Sequence, residues 1–268
     1  MSVKTVYLSA FLFTKCPLRF LTGEISFWCE SWHWIWTCCR PRGAPQHCCL
    51  RWRKRPSLKD LRAKYSNVYL VKLTSGDKAD NEAAIAEIQK TAGRLDVVIA
   101  NAGISKHHGP LATASLSEFR DHFEVNTIGL IVLFQAAHEL LLASLTGAPT
   151  FAYISTGAAS ISRYYHLSVG PYAASKAAAN FLVKVLDAEH PSLIVMAIHP
   201  GWVATDSGNV GAKNNGLAQA PVTVEDSVAG ILTRIDGATK EKSSGRFWNF
   251  KAVKDGMLWD LETEEVPW

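Results

Sequence analysis

The chain has 268 residues, of which 48% are hydrophobic and 19% charged, and a formal net charge of +4. That length and composition suit one α/β domain with a sizeable core and exclude a disordered or fibrous chain. The charge is unevenly placed: residues 1–56 hold nine Lys/Arg against two Asp/Glu, all six cysteines and five of the nine tryptophans, while the remainder is slightly acidic. An acidic body argues against nucleic acid as its partner.

No apolar run approaches the ~20 residues of a membrane span. Val6 to Phe13 is short for a signal peptide and lacks a small-residue cleavage site. A cytoplasmic protein without membrane attachment is therefore expected. From Val68 onward strand and helix patterns alternate. Val68–Leu73 predicts a strand, and Asn81–Ala92 an amphipathic helix with Ala84, Ile85 and Ile88 on one face. Leu95–Ala100 is a near-continuous apolar run, as a buried parallel strand should be. Ser115-Leu116-Ser117-Glu118 reads as a capping box opening a long helix through Asn126 to about Ser144. Thr150–Ser155 is a strand, Tyr172 to about Glu189 a helix stopped near Pro191, and Leu193–His199 a strand. Gly201 to Pro221 shows few periodic signals, and loops of that length are often functional. Thr223-Val224-Glu225-Asp226 opens a helix to about Ile235, and Arg246–Phe250 is a last strand. The alternation implies a doubly wound, Rossmann-like parallel sheet with right-handed crossovers, in a single domain over 57–268. Residues 1–56 stand before it as an aberrant Cys/Trp-rich basic segment.

Within this frame Tyr172 and Lys176 carry the most chemistry. Four apart on a helix, they project from one face. An ammonium near a phenol favours the phenolate and lowers its pKa, which makes the phenol a usable proton donor near neutral pH. Alone, the spacing fits a solvated helix face better. Three further motifs surround it: Asn101-Ala102-Gly103 after one apolar run, Asn126-Thr127-Ile128-Gly129 in the next helix, and Pro200-Gly201-Trp202-Val203-Ala204-Thr205 after another apolar run.

In this order the four motifs resemble the short-chain dehydrogenase/reductase family, from about Val68 to the C-terminus. The resemblance implies a nicotinamide-dependent reductase with Tyr172 as general acid. Lys176 would lower its pKa and hold the nicotinamide ribose, and Asn126 would bend its helix around a water on the proton path. Asn101 and Gly103 would approach the adenosine side, and Pro200, Gly201, Val203 and Thr205 would close over the nicotinamide. The family's fourth residue is a Ser that hydrogen-bonds the substrate carbonyl. Aligned on the strand, Thr156 takes that place, with Ser155 and Ser160 as rivals; Thr has the same hydroxyl donor. Thr156 lies sixteen residues before Tyr172, more than is usual in the family, and the excess falls in Ile161 to Gly170. Tyr164, Tyr165 and His166 in that insertion are read either as solvated loop or as the wall of an aromatic substrate pocket. His107 and His108 read as surface loop, and no metal site is expected. Gly245-Arg246-Phe247-Trp248-Asn249-Phe250 and Glu265-Val266-Pro267-Trp268 are similar to the tail of fungal norsolorinic-acid-type ketoreductases. That resemblance implies a small-molecule carbonyl substrate of aromatic polyketide type, and homo-oligomers are compatible with it.

One family motif is missing. Its first strand should lead into T-G-x-x-x-G-x-G, whose glycines let pyrophosphate approach a helix N-terminus. Residues 1–67 contain only Gly23 and Gly43. An Asp expected after Leu73 to contact adenine is replaced by Thr74, with Asp77 three further on. Tryptophan has the single codon TGG, and read one base later every TGG begins a glycine codon. Trp28, Trp32, Trp34 and Trp36 thus force glycines spaced G-x-x-x-G-x-G-x-G. The shifted reading of 26–37 permits Val-Ser-Gly-Ala-Asn-Arg-Gly-Ile-Gly-Phe-Gly-Leu, and residues 9–25 are compatible with retained intron. We therefore expect the first β-α-β unit to be disrupted by an out-of-frame segment. The permitted Asn-Arg-Gly favours NADP, with NAD as the alternative. On this reading the Cys pairs at 38–39 and 48–49, and the run Arg51-Trp52-Arg53-Lys54-Arg55, are accidents of frame. Two competing expectations remain: a remnant without dinucleotide binding, and an N-terminal interaction module on a reductase-like body.

Overall fold

The structure, a computed structural model, describes residues 4–8, 13–15, 35–38, 68–106, 108–251 and 264–268. Its strands are β1 (Lys4–Leu8), β2 (Phe13–Lys15), β3 (Ile35–Cys38), β4 (Val68–Val71), β5 (Val97–Ala100), β6 (Thr150–Ile154), β7 (Ile194–His199) and β8 (Phe247–Asn249). They form one sheet in the order β4-β3-β1-β5-β6-β7-β8, with β2 beside β1. From β1 through β5, β6 and β7 to β8 every pairing is parallel. The central strands β5, β6 and β7 are buried along their whole length, which is why they read as unbroken apolar runs.

The other half of the sheet departs from expectation. Among the described residues of 9–56 there are two short strands, β2 and β3, and both run against their neighbours. Val6 pairs with Phe13, Leu8 with Trp36, and Trp36 with Leu70, all antiparallel. β3 thus sits between β1 and β4 but reversed, and β4 is again parallel to β1. A β-α-β unit would need β1 and β3 parallel through a helical crossover. The first unit is therefore disrupted, by reversed pairing rather than by loss of the strands.

The helices are α1 (Lys78–Ala92), α2 (Leu116–Phe123), α3 (Gly129–Leu142), α4 (Gly170–Glu189), α5 (Asp206–Asn214), α6 (Val224–Asp236) and α7 (Lys240–Ser243). Caps set their ends. Asp77 accepts the Asp80 N–H at 2.9 Å, so it caps α1 rather than standing free for adenine. Gly93, at φ 73°, ends α1 in the left-handed conformation. Ser115 and Thr223 accept N–H groups three residues on, as their positions predict. α2 and α3 are one continuous helix interrupted by a π segment, Glu124–Ile128. α1 packs on α3, α2 on α4, and α4 on β7. The Gly201–Pro221 stretch contains helix α5, capped by the Thr205 hydroxyl on Gly208 N–H at 3.0 Å, where only loop was expected. The core is a single cluster with Tyr153, Phe151, Phe247 and Phe250 its largest buried side chains. Each such ring contributes ~1.5–3 kcal/mol of burial, and Phe134 meets Phe151 edge-on at 5.1 Å. This rigid centre holds the carboxyl ends of β5, β6 and β7, where the site lies.

Candidate active site

The site assembles from the π segment upward. A π turn carries one residue more than an α turn, so it leaves a side chain out of register. That side chain is Asn126, which is buried. Its Oδ1 accepts the Ile104 N–H at 2.8 Å, and its Nδ2 donates to Ile104 O at 3.0 Å and Ser175 Oγ at 2.9 Å. The adjacent Thr127 donates to Ser175 O at 2.8 Å, and Ser175 Oγ donates to Tyr172 O at 2.8 Å. The π segment is thereby stapled both to the Asn101-Ala102-Gly103 loop and to the turn of α4 that carries Tyr172 and Lys176.

Lys176 is buried, and its ammonium donates to Ile154 O at 2.7 Å. It lies 4.5 Å from the centre of the Tyr153 ring. Burial lowers its pKa from 10.5 to about 7. A Cβ on Gly103 would come within 3.1 Å of Lys176 Nζ and 3.2 Å of Asn126 Oδ1. Glycine there leaves open a cradle that a side chain would fill.

Tyr172 is half-buried at the wall of a cavity of about 300 Å³. Burial raises its phenol pKa, and a hydrogen bond from the Thr156 side chain works against that rise. This corrects the expectation that Lys176 sets a depressed phenol: here its ammonium is turned to Ile154 O. Of the three hydroxyl rivals, Thr156 lines the cavity on which Tyr172 also lies. Ser155 also touches the cavity, but its Oγ donates to Asn180 Oδ1 at 2.6 Å inside the core. Ser160 Oγ is turned to Pro267 O at 2.6 Å.

Asn101, Pro200, Gly201, Val203 and Thr205 also line the cavity. Gly201 has φ +79°, and a Cβ would lie 2.8 Å from the Phe250 ring and 3.0 Å from Val222, so the turn admits glycine alone without rearrangement. Val203 bridges to Val222, and the Thr205 hydroxyl is occupied in capping α5. Tyr165, Leu167, Val228 and Ile231 give the cavity its apolar wall. Within the insertion, Tyr165 faces inward, whereas Tyr164 is exposed and packs on His166 at 5.1 Å. His108 lines the cavity instead of lying on open surface; His107 falls outside the described residues.

Three side chains of the site were not singled out by the motifs. Tyr153, fully buried, donates to the Asn126 carbonyl at 3.2 Å, and burial first, then the neighbouring Tyr172, pushes its pKa well above 10. His199 accepts the Gly157 N–H on Nδ1 at 2.9 Å, which ties the end of β7 to the turn after Thr156; burial lowers its pKa to about 4. His122 accepts the Lys106 N–H on Nε2 at 3.1 Å and meets Glu118 O through Nδ1 at 2.6 Å, which fixes the Nδ1–H tautomer. Its ring stands 6.5 Å edge-on from Tyr172. Each had a faint signal, as a polar ring inside an apolar run or a helix start.

A parallel sheet with a cleft at the carboxyl ends of its strands, a Tyr/Lys pair on one helix and a buried Asn on the helix before it defines a class of dinucleotide-dependent oxidoreductase. The short chain dehydrogenase family profile matches residues 43–215, and the chain belongs to that family. It is 40% identical over 190 residues to norsolorinic acid ketoreductase of Aspergillus parasiticus, covering 69% of this chain and 70% of that protein. Norsolorinic acid ketoreductase nor1 of Dothistroma septosporum is 37% identical over 190 residues, covering 69% and 71%. Among solved structures, NADPH-bound carbonyl reductase from chicken fatty liver is similar at a TM-score of 0.65 and 30% identity, over 72% of this chain and 79% of that one.

Proposed function

We propose that the protein is an NADP-dependent ketoreductase for an aromatic, polyketide-like ketone. The observation that carries this reading is the placement of Tyr172 and Thr156 on the wall of one apolar cavity, with Lys176 buried one helical turn from Tyr172. Similarity to the norsolorinic acid ketoreductases supports the substrate class, and NADPH in the chicken carbonyl reductase supports the cofactor.

The residues present fit the nicotinamide end of such a cofactor. Gly103 leaves space beside Lys176 and Asn126, and Pro200, Gly201, Val203 and Thr205 wall the cavity. When bound, the cofactor supplies a hydride to the carbonyl carbon. Tyr172 gives its phenolic proton to the carbonyl oxygen, and Thr156 holds that oxygen by a hydrogen bond. Lys176, with its pKa near 7, can gain or lose a proton at neutral pH and so reload the phenol. Asn126 holds the loop and helix around it in register. Its carbonyl is met by Tyr153, so a second phenol sits beside the water path that the family resemblance implies.

NADPH consumption measured against a ketone series tests the reading. Planar polycyclic ketones should be reduced faster than small aliphatic ones, and no consumption with any ketone contradicts it. One observation favours a second reading, a reductase body with weak dinucleotide binding: residues 9–34 contain a single glycine, Gly23, where the phosphate-binding turn belongs.

A further inference from the structure

Residues 264–268 have no part in the chemistry above and do not line the cavity, yet they are bonded to the loop that does. They first run along the edge of β8. Asn249 N–H donates to Glu264 O at 2.8 Å, and Val266 N–H to Phe247 O at 2.7 Å. Arg246 pairs with Glu265 at 2.9 Å, and Val266 is fully buried. The chain then crosses to the loop after β6. Ser160 Oγ donates to Pro267 O at 2.6 Å, and Ser162 donates to Trp268 O through its N–H at 3.0 Å and its Oγ at 2.5 Å. The Trp268 ring lies 5.5 Å from Phe247 and 4.7 Å from the Lys184 ammonium.

The loop held in this way is the insertion that precedes Tyr172. From Tyr165 to Val169 its residues alternate between half-buried and exposed. Backbone bonds from Leu167 N–H to Tyr165 O and from Val169 N–H to Leu167 O keep that alternation. Tyr165, Leu167 and Val169 therefore face the cavity together. The far end is fixed where Gly109 N–H donates to Ser168 O at 2.8 Å. Between the two anchors Tyr165 and Leu167 turn inward while Arg163, Tyr164 and His166 are exposed, so much of the loop stays outside the core. A segment with few buried contacts is positioned by the bonds that pin it.

We propose that residues 264–268 are a strap that sets the position of the Tyr165–Val169 wall and with it the size of ketone the site accepts, with Ser160 and Ser162 as its positioning residues. Neither serine lines the cavity. The proposal rests on the ketoreductase reading, because the wall is taken to face substrate.

The test uses Ser160→Ala/Ser162→Ala in the full chain at saturating NADPH, with 9,10-phenanthrenequinone as the bulky probe and 2,3-butanedione as the small one. KM for the quinone should rise roughly tenfold, with kcat changed less than about twofold and KM for butanedione unmoved. Ser160→Thr, which keeps the donor, should stay near wild type. Equal KM changes for both probes, or none, overturn the proposal. Amide hydrogen exchange without substrate forms a second arm that does not depend on reductase activity. Exchange across 160–169 should quicken in the double variant while β7 is unchanged; unaltered exchange there overturns the strap. If the wild type reduces neither probe, the ketoreductase reading fails and the exchange arm still decides whether the strap holds the loop.

Discussion

Two buried bases set how the cleft responds to pH. His199 is held neutral by burial, with a pKa lowered from 6.5 to about 4, and Lys176 is lowered from 10.5 to about 7. In each case the unfolded chain takes up a proton that the folded chain resists. Stability therefore rises with pH between 4 and 6.5 through His199, and between 7 and 10.5 through Lys176. The urea midpoint should fall as pH drops from 6.5 toward 4, and His199→Asn, which keeps an acceptor for Gly157 N–H without titrating, should flatten that fall. An equal fall in both proteins contradicts the assignment. For catalysis, Tyr172→Phe should leave cofactor binding largely intact and cut turnover by ~10²-fold or more, since it removes only the proton donor; single-turnover rates would show unchanged chemistry if that role is wrong. Thr156→Ala should lower turnover more than Ser155→Ala or Ser160→Ala, because Thr156 lines the cavity while the Ser155 and Ser160 hydroxyls donate to Asn180 and Pro267; the reverse ranking points to a different hydroxyl. At this scale Tyr172, Lys176 and Asn126 stood out because each sits in a short motif of fixed spacing, whereas Thr156 rested on strand alignment alone, with Ser155 and Ser160 as rivals. Tyr153 and His199 did not stand out, because a polar ring inside an apolar strand looks like core until its partner is seen.

The continuous helix from Leu116 to Leu142 shows how an element carries the site. Its capping box and apolar face predict the helix, and its length is legible from them. The π segment is not legible from the residues alone, although the family resemblance implied a bend at Asn126. The segment holds because Asn126 and Thr127 find partners on α4 and on the Gly103 loop. Asn126→Ala would leave the Ile104 N–H and its carbonyl without those partners, at a cost of at least ~2 kcal/mol. Urea unfolding should show that loss together with reduced turnover; wild-type stability would mean the staple contributes nothing. Helix α5 escaped the sequence reading for the opposite reason. Gly208, Asn209 and Gly211 weaken its helical signal, although Thr205-Asp206 at its start is a usable cap.

On the scale of the whole molecule, the parallel half of the sheet was readable and the N-terminal half was not. β5, β6 and β7 are apolar runs joined by helices, and right-handed crossovers leave few topologies open to them. β1 pairs parallel to β5 through Val6 and Val97, the register a first dinucleotide-fold strand takes. Yet β3 beside it runs antiparallel, and the residues between them supply one glycine. Our reading is that Lys4–Leu8 is the family's own first strand and that the frame is lost after it, so the nicotinamide end of the cleft is complete while the phosphate-binding turn is not. Paired NADPH titrations of the chain as it stands and of a frame-repaired chain, followed by NADPH fluorescence, test this most directly. The account predicts binding at least ~100-fold tighter in the repaired chain, the worth of several phosphate hydrogen bonds at a helix N-terminus. Equal and tight binding by both chains would contradict it and place a phosphate site within the Cys/Trp-rich segment.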